Sequence, residues 1–190
     1  MNRQFEAAWR LHTFLTARQI PYAVIGGIAV QRWGQPRFTR DVDLTILLPP
    51  GDEERALREI VAVFPPRIND AVDFALKHRV LPIEVPEGSE ADLSLGLPGY
   101  EEEVMRRAVP YDLGGGRDIR VCSPEDLIIH KALAGRAQDL LDIEGLVARQ
   151  GASLDIGYVR RWLTELSRLA DDPDVARRFE RAWAAYRPRG

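Results

Sequence analysis

The apolar segment at residues 42–48 constrains the fold most, because it predicts a buried strand that starts beside two aspartates. The segment is rich in residue types that favour strands, and Pro49 and Pro50 end it. Asp41 and Asp43 lie two residues apart, so their side chains should point to the same face of the strand. A strand of this kind needs a sheet and a core, and it delivers two carboxylates to one face of that sheet.

Other segments indicate that this strand belongs to a mixed fold. A short strand is expected at residues 22–25, and it meets Gly26 and Gly27, where a helix should begin. Residues 80–85 and 91–95 are strand-like and predict a hairpin. Strands and helices therefore alternate in this part of the chain.

The C-terminal third has a different character. Ser123 and Pro124 predict the start of a helix, because serine caps helices and proline suits the first helical position. From there onward apolar residues recur only at helical spacing. We therefore predict an α/β fold with a small mixed sheet and flanking helices in residues 1–122, and a C-terminal helical bundle in residues 123–190.

Composition narrows the class of protein. The chain has 190 residues, of which 45% are hydrophobic, and this is enough for a buried core. The formal net charge of −3 gives no sign of a nucleic-acid partner. Cys122 is the single cysteine, which excludes an internal disulfide and a cysteine-rich zinc site and suits a reducing compartment. No apolar run reaches the roughly 18 residues of a membrane span, so we expect a soluble cytoplasmic protein without a membrane partner.

Asp41 and Asp43 point to a metal site. Two like charges at the rim of an apolar strand repel each other unless a cation or hydrogen-bond donors neutralise them. Mg²⁺ prefers oxygen ligands, and a pair of such ions can stabilise both the attacking and the leaving oxygen in phosphoryl transfer. Asp92, near the start of another predicted strand, supplies a third carboxylate for a two-metal site or a general base, and Glu90 would share its face. The simpler interpretation of Asp41 and Asp43 is an exposed strand-edge pair that caps backbone groups, and that of Asp92 or Glu90 is a solvent-facing strand residue.

Gly26 and Gly27 stand where a strand passes into a helix. The bare backbone N–H groups and the positive helix end at such a point can receive a phosphate. The alternative is a tight turn that needs glycine for its backbone conformation or for close packing. Both interpretations of the glycines stay open, and their position in front of the Asp-x-Asp strand favours the metal interpretation of the aspartates.

Four segments resemble the motifs of a known family. They are GGIAV at residues 26–30, RFTRDVDL at 37–44, LIIHKAL at 127–133 and RAQDLLD at 136–142. In order and spacing they are similar to the AbiEii-type nucleotidyltransferases, which are toxins of type IV toxin–antitoxin systems within the DNA polymerase β-like nucleotidyltransferase superfamily. The resemblance spans residues 22–147.

The resemblance implies a site and its cofactors. It implies that Asp41, Asp43 and Asp92 bind Mg²⁺, as a two-metal site, and that a nucleoside triphosphate such as ATP is a substrate. These aspartates and Lys131 would be the catalytic residues, with Lys131 as a cation that stabilises charge during transfer. The residues expected to bind the nucleotide are Gly26, Gly27, Arg40, Lys131, Arg136 and Asp139.

Simpler interpretations of the charged residues remain open. Lys131 and Arg136 would otherwise be surface cations, and Arg136 is spaced for an ion pair with Asp139 on one helix. Arg37 and Arg40 can either hold phosphate or pair with carboxylates, and we expect the second for Arg40.

The function implied is Mg²⁺-dependent transfer of a nucleoside monophosphate from a nucleoside triphosphate to a hydroxyl group. The expected acceptor is RNA, such as tRNA, or a protein, and a toxin of this kind would have a cognate antitoxin as partner. Residues 123–190 would close the nucleotide cleft of the catalytic domain at 1–122. The alternatives are a small-molecule nucleotidyltransferase of the antibiotic-modifying type and a nucleotide-binding member of the fold without catalysis.

Overall fold

The computed structural model describes residues 3–86 and 88–186. The chain divides into two compact units. The sheet unit comprises Met1–Ile28 and Phe38–Cys122, and the helical unit comprises Ala29–Arg37 and Ser123–Gly190. Helix α2 (Gly26–Trp33) therefore begins in the sheet unit and continues in the helical unit. The domain boundary expected at residue 122 stays a prediction.

In its described residues, the sheet unit contains six strands, four whole helices and the start of α2. The other elements, in chain order, are α1 (Arg3–Ala17), β1 (Tyr22–Ile25), β2 (Asp41–Ile46), α3 (Glu53–Val61), α4 (Ala71–His78), β3 (Val80–Val85), β4 (Ser89–Leu95), α5 (Tyr100–Arg107), β5 (Val109–Asp112) and β6 (Asp118–Val121).

The strands form one mixed sheet in the order β3-β4-β2-β1-β6-β5. Strands β2 and β4 run parallel, as do β1 and β6. The pairs β1–β2, β3–β4 and β5–β6 are antiparallel. The predicted α/β class and the hairpin formed by β3 and β4 are therefore confirmed.

Burial alternates along β4 and along the first part of β2, where Thr45 is also buried. On β2, Val42, Leu44 and Ile46 are completely buried, and on β4 so are Ala91 and Leu93. Because successive side chains on a strand point to opposite faces, the other face of both strands is left for polar side chains.

The helical unit is built on α6 (Pro124–Ala134), which starts as the sequence predicts. The Ser123 hydroxyl accepts a hydrogen bond from the Asp126 backbone N–H at 3.1 Å, and Pro124 occupies the first turn. Helices α7 (Ala137–Gln150), α8 (Ile156–Leu169) and α9 (Asp174–Ala185) follow, with a short 3₁₀ turn at Gly151–Ser153. The predicted C-terminal helical bundle is confirmed.

Helix α4 was not predicted from the sequence. It begins after Asp70, which has a left-handed backbone and makes no capping hydrogen bond with its side chain, and it ends at Arg79, also left-handed. Asp70 is a residue type that caps helices, but the helix has only eight residues, too few for a helical repeat of apolar residues to stand out in the sequence.

No helix within residues 3–86 and 88–186 is both long enough and apolar enough to cross a membrane.

Candidate active site

Four acidic side chains share one face of the sheet. Strands β2 and β4 pair in parallel register, with Asp41 opposite Glu90 and Asp43 opposite Asp92. Residues opposite each other in a sheet point to the same side, and adjacent strands are only about 4.8 Å apart. The four side chains, which we call the acidic face, are half-buried or exposed, and Asp92 keeps 39% of its side chain accessible.

The glycine pair lies directly against the acidic face. Gly26 has φ +65°, and a Cβ atom built on it would lie 1.9 Å from Asp43 Oδ2. A Cβ atom on Gly27 would lie 2.4 Å from the Thr39 hydroxyl oxygen. Both positions therefore require glycine because of close packing, which is the alternative left open by the sequence. The packing also brings the Asp43 carboxylate to the first residue of α2, whose positive end favours negative charge.

An arginine outside the predicted motifs contacts the acidic face. Arg67 Nη1 lies 2.8 Å from Glu90 Oε2, and Arg67 Nη2 contacts Asp92 Oδ1. Arg67 was not predicted from the sequence, because it lies in the loop between α3 and α4 and no spacing pattern ties it to Asp92.

The donor set suits Mg²⁺ by its chemistry. Within residues 3–86 and 88–186, the Asp41 carboxylate makes no hydrogen bond or ion pair, and Asp92 has Arg67 as its sole partner. Carboxylate oxygens are among the ligands that Mg²⁺ prefers, and those of Asp41 are available to it. Within residues 3–86 and 88–186, no three acidic, histidine or cysteine side chains are grouped closely enough to hold a metal ion in this conformation.

A cavity of about 510 Å³ in the sheet unit opens beside Asp41 and Glu90. Its wall includes Arg3, Arg40 and Phe38, and the Phe38 side chain is 78% exposed. Arg40 is exposed and makes no ion pair with any described residue. The pairing that we expected between Arg40 and a carboxylate is therefore not observed.

Lys131, Asp139 and Arg136 belong to the helical unit and form an ionic cluster there, in which Lys131 and Asp139 are buried and Arg136 is exposed. Lys131 Nζ lies 2.8 Å from Asp139 Oδ1 and 2.8 Å from Asp142 Oδ2, and its side chain is only 7% exposed. Arg136 Nε lies 2.7 Å from Asp139 Oδ2, which is the ion pair that the sequence left open. The contacts of Lys131 join α6 to α7, and its catalytic role stays a prediction.

Asp142 receives further donors in the same cluster. Arg37 donates from Nε to Oδ1 and from Nη2 to Oδ2, both at 2.9 Å, and Gln138 donates at 3.1 Å. Burial alone would raise the pKa of Asp142, but the hydrogen bonds from Arg37 and Lys131 outweigh it and lower the pKa to about 2. Burial would likewise raise the pKa of Asp139, but the hydrogen bonds from Arg136 and Lys131 outweigh it and lower the pKa.

Comparison with known proteins decides the family. Residues 16–187 match the family model described as nucleotidyl transferase AbiEii toxin, type IV TA system. The chain belongs to the AbiEii nucleotidyltransferase family. The family resemblance of the motifs is therefore confirmed over most of this AbiEii-family chain. A search of curated protein sequences found no match to the chain.

Two solved structures share the fold of this AbiEii-family protein. An antigenic nucleotidyltransferase-like protein from Paracoccidioides brasiliensis is 19% identical, with a TM-score of 0.51 over 93% of this chain and 91% of that one. The antibiotic-resistance factor ANT(2'')-Ia is 18% identical, with a TM-score of 0.54 over 90% of this chain and 96% of that one. At these identities the likeness establishes the nucleotidyltransferase fold.

Gly26→Ala tests whether the glycine is needed for its contact with Asp43. We expect it to lower the free energy of unfolding by about 2 kcal/mol or more, because alanine strains a positive φ and its Cβ displaces the carboxylate. Gly115→Ala is a matched control, since Gly115 has φ +67° and open space around it. Urea unfolding of both variants measures the difference. Equal losses would show that backbone strain alone explains the effect.

The lowered pKa of Asp142 predicts acid sensitivity. An ordinary value near 3.8 in the unfolded chain and about 2 in the folded chain means that its stabilisation is present above pH 4 and is lost as the pH falls toward 2. Between pH 5 and pH 3 the wild type should therefore lose about 1 kcal/mol more of its unfolding free energy than Asp142→Asn. Urea unfolding at both pH values measures this, and parallel losses in the two proteins would contradict it.

Proposed function

We propose that this protein is a metal-dependent nucleotidyltransferase that transfers a nucleoside monophosphate to a hydroxyl group of RNA. The observation that carries the proposal is the parallel register of β2 and β4, which gathers Asp41, Asp43 and Asp92 on one face of the sheet. Family membership supplies the class of reaction, and the oxygen donors supply a reason for Mg²⁺.

The proposed reaction divides among residues of the sheet unit. The acceptor oxygen forms a bond to the α-phosphorus, the bond to pyrophosphate breaks, and the hydroxyl proton passes to a carboxylate of the acidic face. Asp41, Asp43 and Asp92 would hold Mg²⁺, which when bound neutralises the phosphates and stabilises the reacting oxygens. The backbone at Gly26 and Gly27, at the start of α2, would receive a phosphate beside Asp43.

The cavity beside Asp41 supports RNA as the acceptor. An exposed aromatic ring offers a stacking surface for a base, and basic side chains nearby suit a phosphate. Phe38, Arg3 and Arg40 provide these groups in one wall that also contains Asp41. Such a site accommodates the end of a single strand and brings its hydroxyl toward the acidic face.

A toxin role is part of the proposal, since the matching family model is described as a nucleotidyl transferase toxin of a type IV toxin–antitoxin system. Modification of an RNA such as tRNA would arrest growth, and a cognate antitoxin would relieve the arrest. Arrest on expression that persists in Asp41→Asn would contradict a toxin role based on nucleotide transfer. The predicted closing of the nucleotide cleft by residues 123–190 remains a prediction.

Asp41→Asn and Asp43→Asn test the catalytic proposal. Each variant should reduce label transfer from radioactive nucleoside triphosphates by about 100-fold or more, because each removes a charge that would hold the metal. The assay contains Mg²⁺, each nucleoside triphosphate in turn, and pooled tRNA, a protein extract or an aminoglycoside. Asp73→Asn, which changes an exposed carboxylate on α4 of the same unit, is the control.

The distribution of label separates the candidate acceptors. Label on tRNA supports the proposal, whereas label on protein or on the aminoglycoside would replace RNA by another acceptor class. Tight binding of a nucleoside triphosphate without transfer to any acceptor would favour a binding protein and overturn the enzymatic proposal.

Phe38→Ala tests the stacking surface. Loss of base stacking should raise the KM for the RNA acceptor about tenfold, with little change in the KM for the nucleoside triphosphate. Phe38→Trp should retain the wild-type KM. Leu97→Ala is the control, since Leu97 is another exposed apolar side chain of the sheet unit, 61% accessible. An unchanged KM for RNA in Phe38→Ala would exclude stacking on this ring.

A further inference from the structure

The segment before Arg67 is fixed to the edge of the sheet. Strand β3 is an edge strand, and its Glu84 N–H donates to the Pro65 carbonyl at 2.7 Å, while the Arg67 N–H donates to the Pro82 carbonyl at 3.1 Å. A bridge between Pro66 and Ile83 lies between these two hydrogen bonds. Pro65 and Pro66 have no backbone N–H to donate, so the segment makes only this isolated bridge with β3 and not a further strand. The backbone of Arg67 is therefore held beside β3.

From this position the Arg67 side chain reaches across β3 to β4. The Arg67 backbone is hydrogen-bonded to Pro82 of β3, and Pro82 is paired with Asp92 of β4. The Arg67 side chain therefore crosses β3 to reach the acidic face. Its two terminal nitrogens contact Glu90 and Asp92. Arg67 Nε is buried and has no hydrogen-bond partner among residues 3–86 and 88–186. The polar contacts of the guanidinium are thus made with the two carboxylates.

The contact with Asp92 conflicts with a metal at the same carboxylate. Asp92 Oδ1, an oxygen of the predicted metal-binding set, is the atom that Arg67 contacts. A guanidinium and a divalent cation repel each other at this distance, and the repulsion is strong where solvent is partly excluded. Glu90 lies 2.8 Å from Nη1 and offers Arg67 a carboxylate that it can keep when it leaves Asp92.

We propose that Arg67 is an internal counter-cation that competes with the divalent metal for Asp92. This inference rests on the proposed function, because it assumes that the acidic face binds a metal. Without metal, the single positive charge of Arg67 is shared by Glu90 and Asp92 and reduces the repulsion between them. When metal binds, Arg67 releases Asp92 and retains Glu90. Asp92 therefore joins the metal site at the cost of an existing ion pair, whereas Asp41 has no such pair to break.

Direct measurement of Mn²⁺ binding tests this role without reference to activity. The free Mn²⁺ signal in electron paramagnetic resonance is followed during titration of wild type and Arg67→Gln. Removing the competitor should tighten binding roughly tenfold, the value of one charge-assisted hydrogen bond. Arg67→Lys should give an intermediate affinity, because a lysine retains the charge but makes fewer contacts.

Two comparisons make the result specific. Arg55→Gln is the matched control, because Arg55 also joins two carboxylates, Asp52 and Glu59, and its loss changes the net charge equally. Arg55→Gln should leave the Mn²⁺ affinity unchanged. In an Asp92→Asn background, the effect of Arg67→Gln should fall to less than about threefold, because the contested ligand is absent.

Thermal unfolding provides a second readout and a check of folding. In EDTA, Arg67→Gln should have a lower Tm than wild type, and Mn²⁺ should raise its Tm by more than it raises that of wild type. Equal or weaker Mn²⁺ binding by a folded Arg67→Gln variant would overturn the competition. If wild type binds no Mn²⁺, or its binding is unaffected by Asp41→Asn, the metal-dependent function fails instead.

Discussion

Parallel pairing of β2 with β4 is the constraint on which the candidate site depends. The pairing sets Asp41 opposite Glu90 and Asp43 opposite Asp92, so that the apolar residues between them point into the core. A shift of one residue would move every side chain of a strand to the other face. The hydrophobic pattern that stabilises the sheet therefore also holds the four carboxylates on one face. A change of register would lose both the buried core of these strands and the acidic face.

Charge crowding then dictates what surrounds the acidic face. Carboxylates on adjacent strands repel one another, and the repulsion is reduced only by cations, hydrogen-bond donors or water. The structure supplies Arg67 for Glu90 and Asp92, and the start of α2 for Asp43. Asp41 receives no partner in the described part of the chain. The negative charges are thus offset unevenly. Asp41, the carboxylate without a partner, lines the cavity whose wall includes Phe38.

Local patterns were sufficient to predict the elements but not the contacts between them. Strand β2 and the capped start of α6 follow from a few neighbouring residues, and both were predicted. Helix α4 was missed because its eight residues are too few for a helical repeat of apolar residues to stand out, even though Asp70 precedes it as a potential cap. The order of strands, with β4 beside β2, depends on pairing between distant segments, which no local pattern encodes. Asp41, Asp43 and Asp92 could be named from the sequence, whereas their common register could not.

The contacts of the charged residues were even harder to predict from the sequence. Lys131, Arg136 and Asp139 were expected to bind nucleotide, and the structure shows them in a network with Asp142 in which burial is balanced by ion pairs. Arg37 lies 105 residues from Asp142 in the chain, so their bidentate contact is invisible to spacing rules. A buried charge is tolerated only when it is paired. The residue types of such a cluster therefore do not assign it to catalysis, because a folding role requires the same lysine and the same carboxylates.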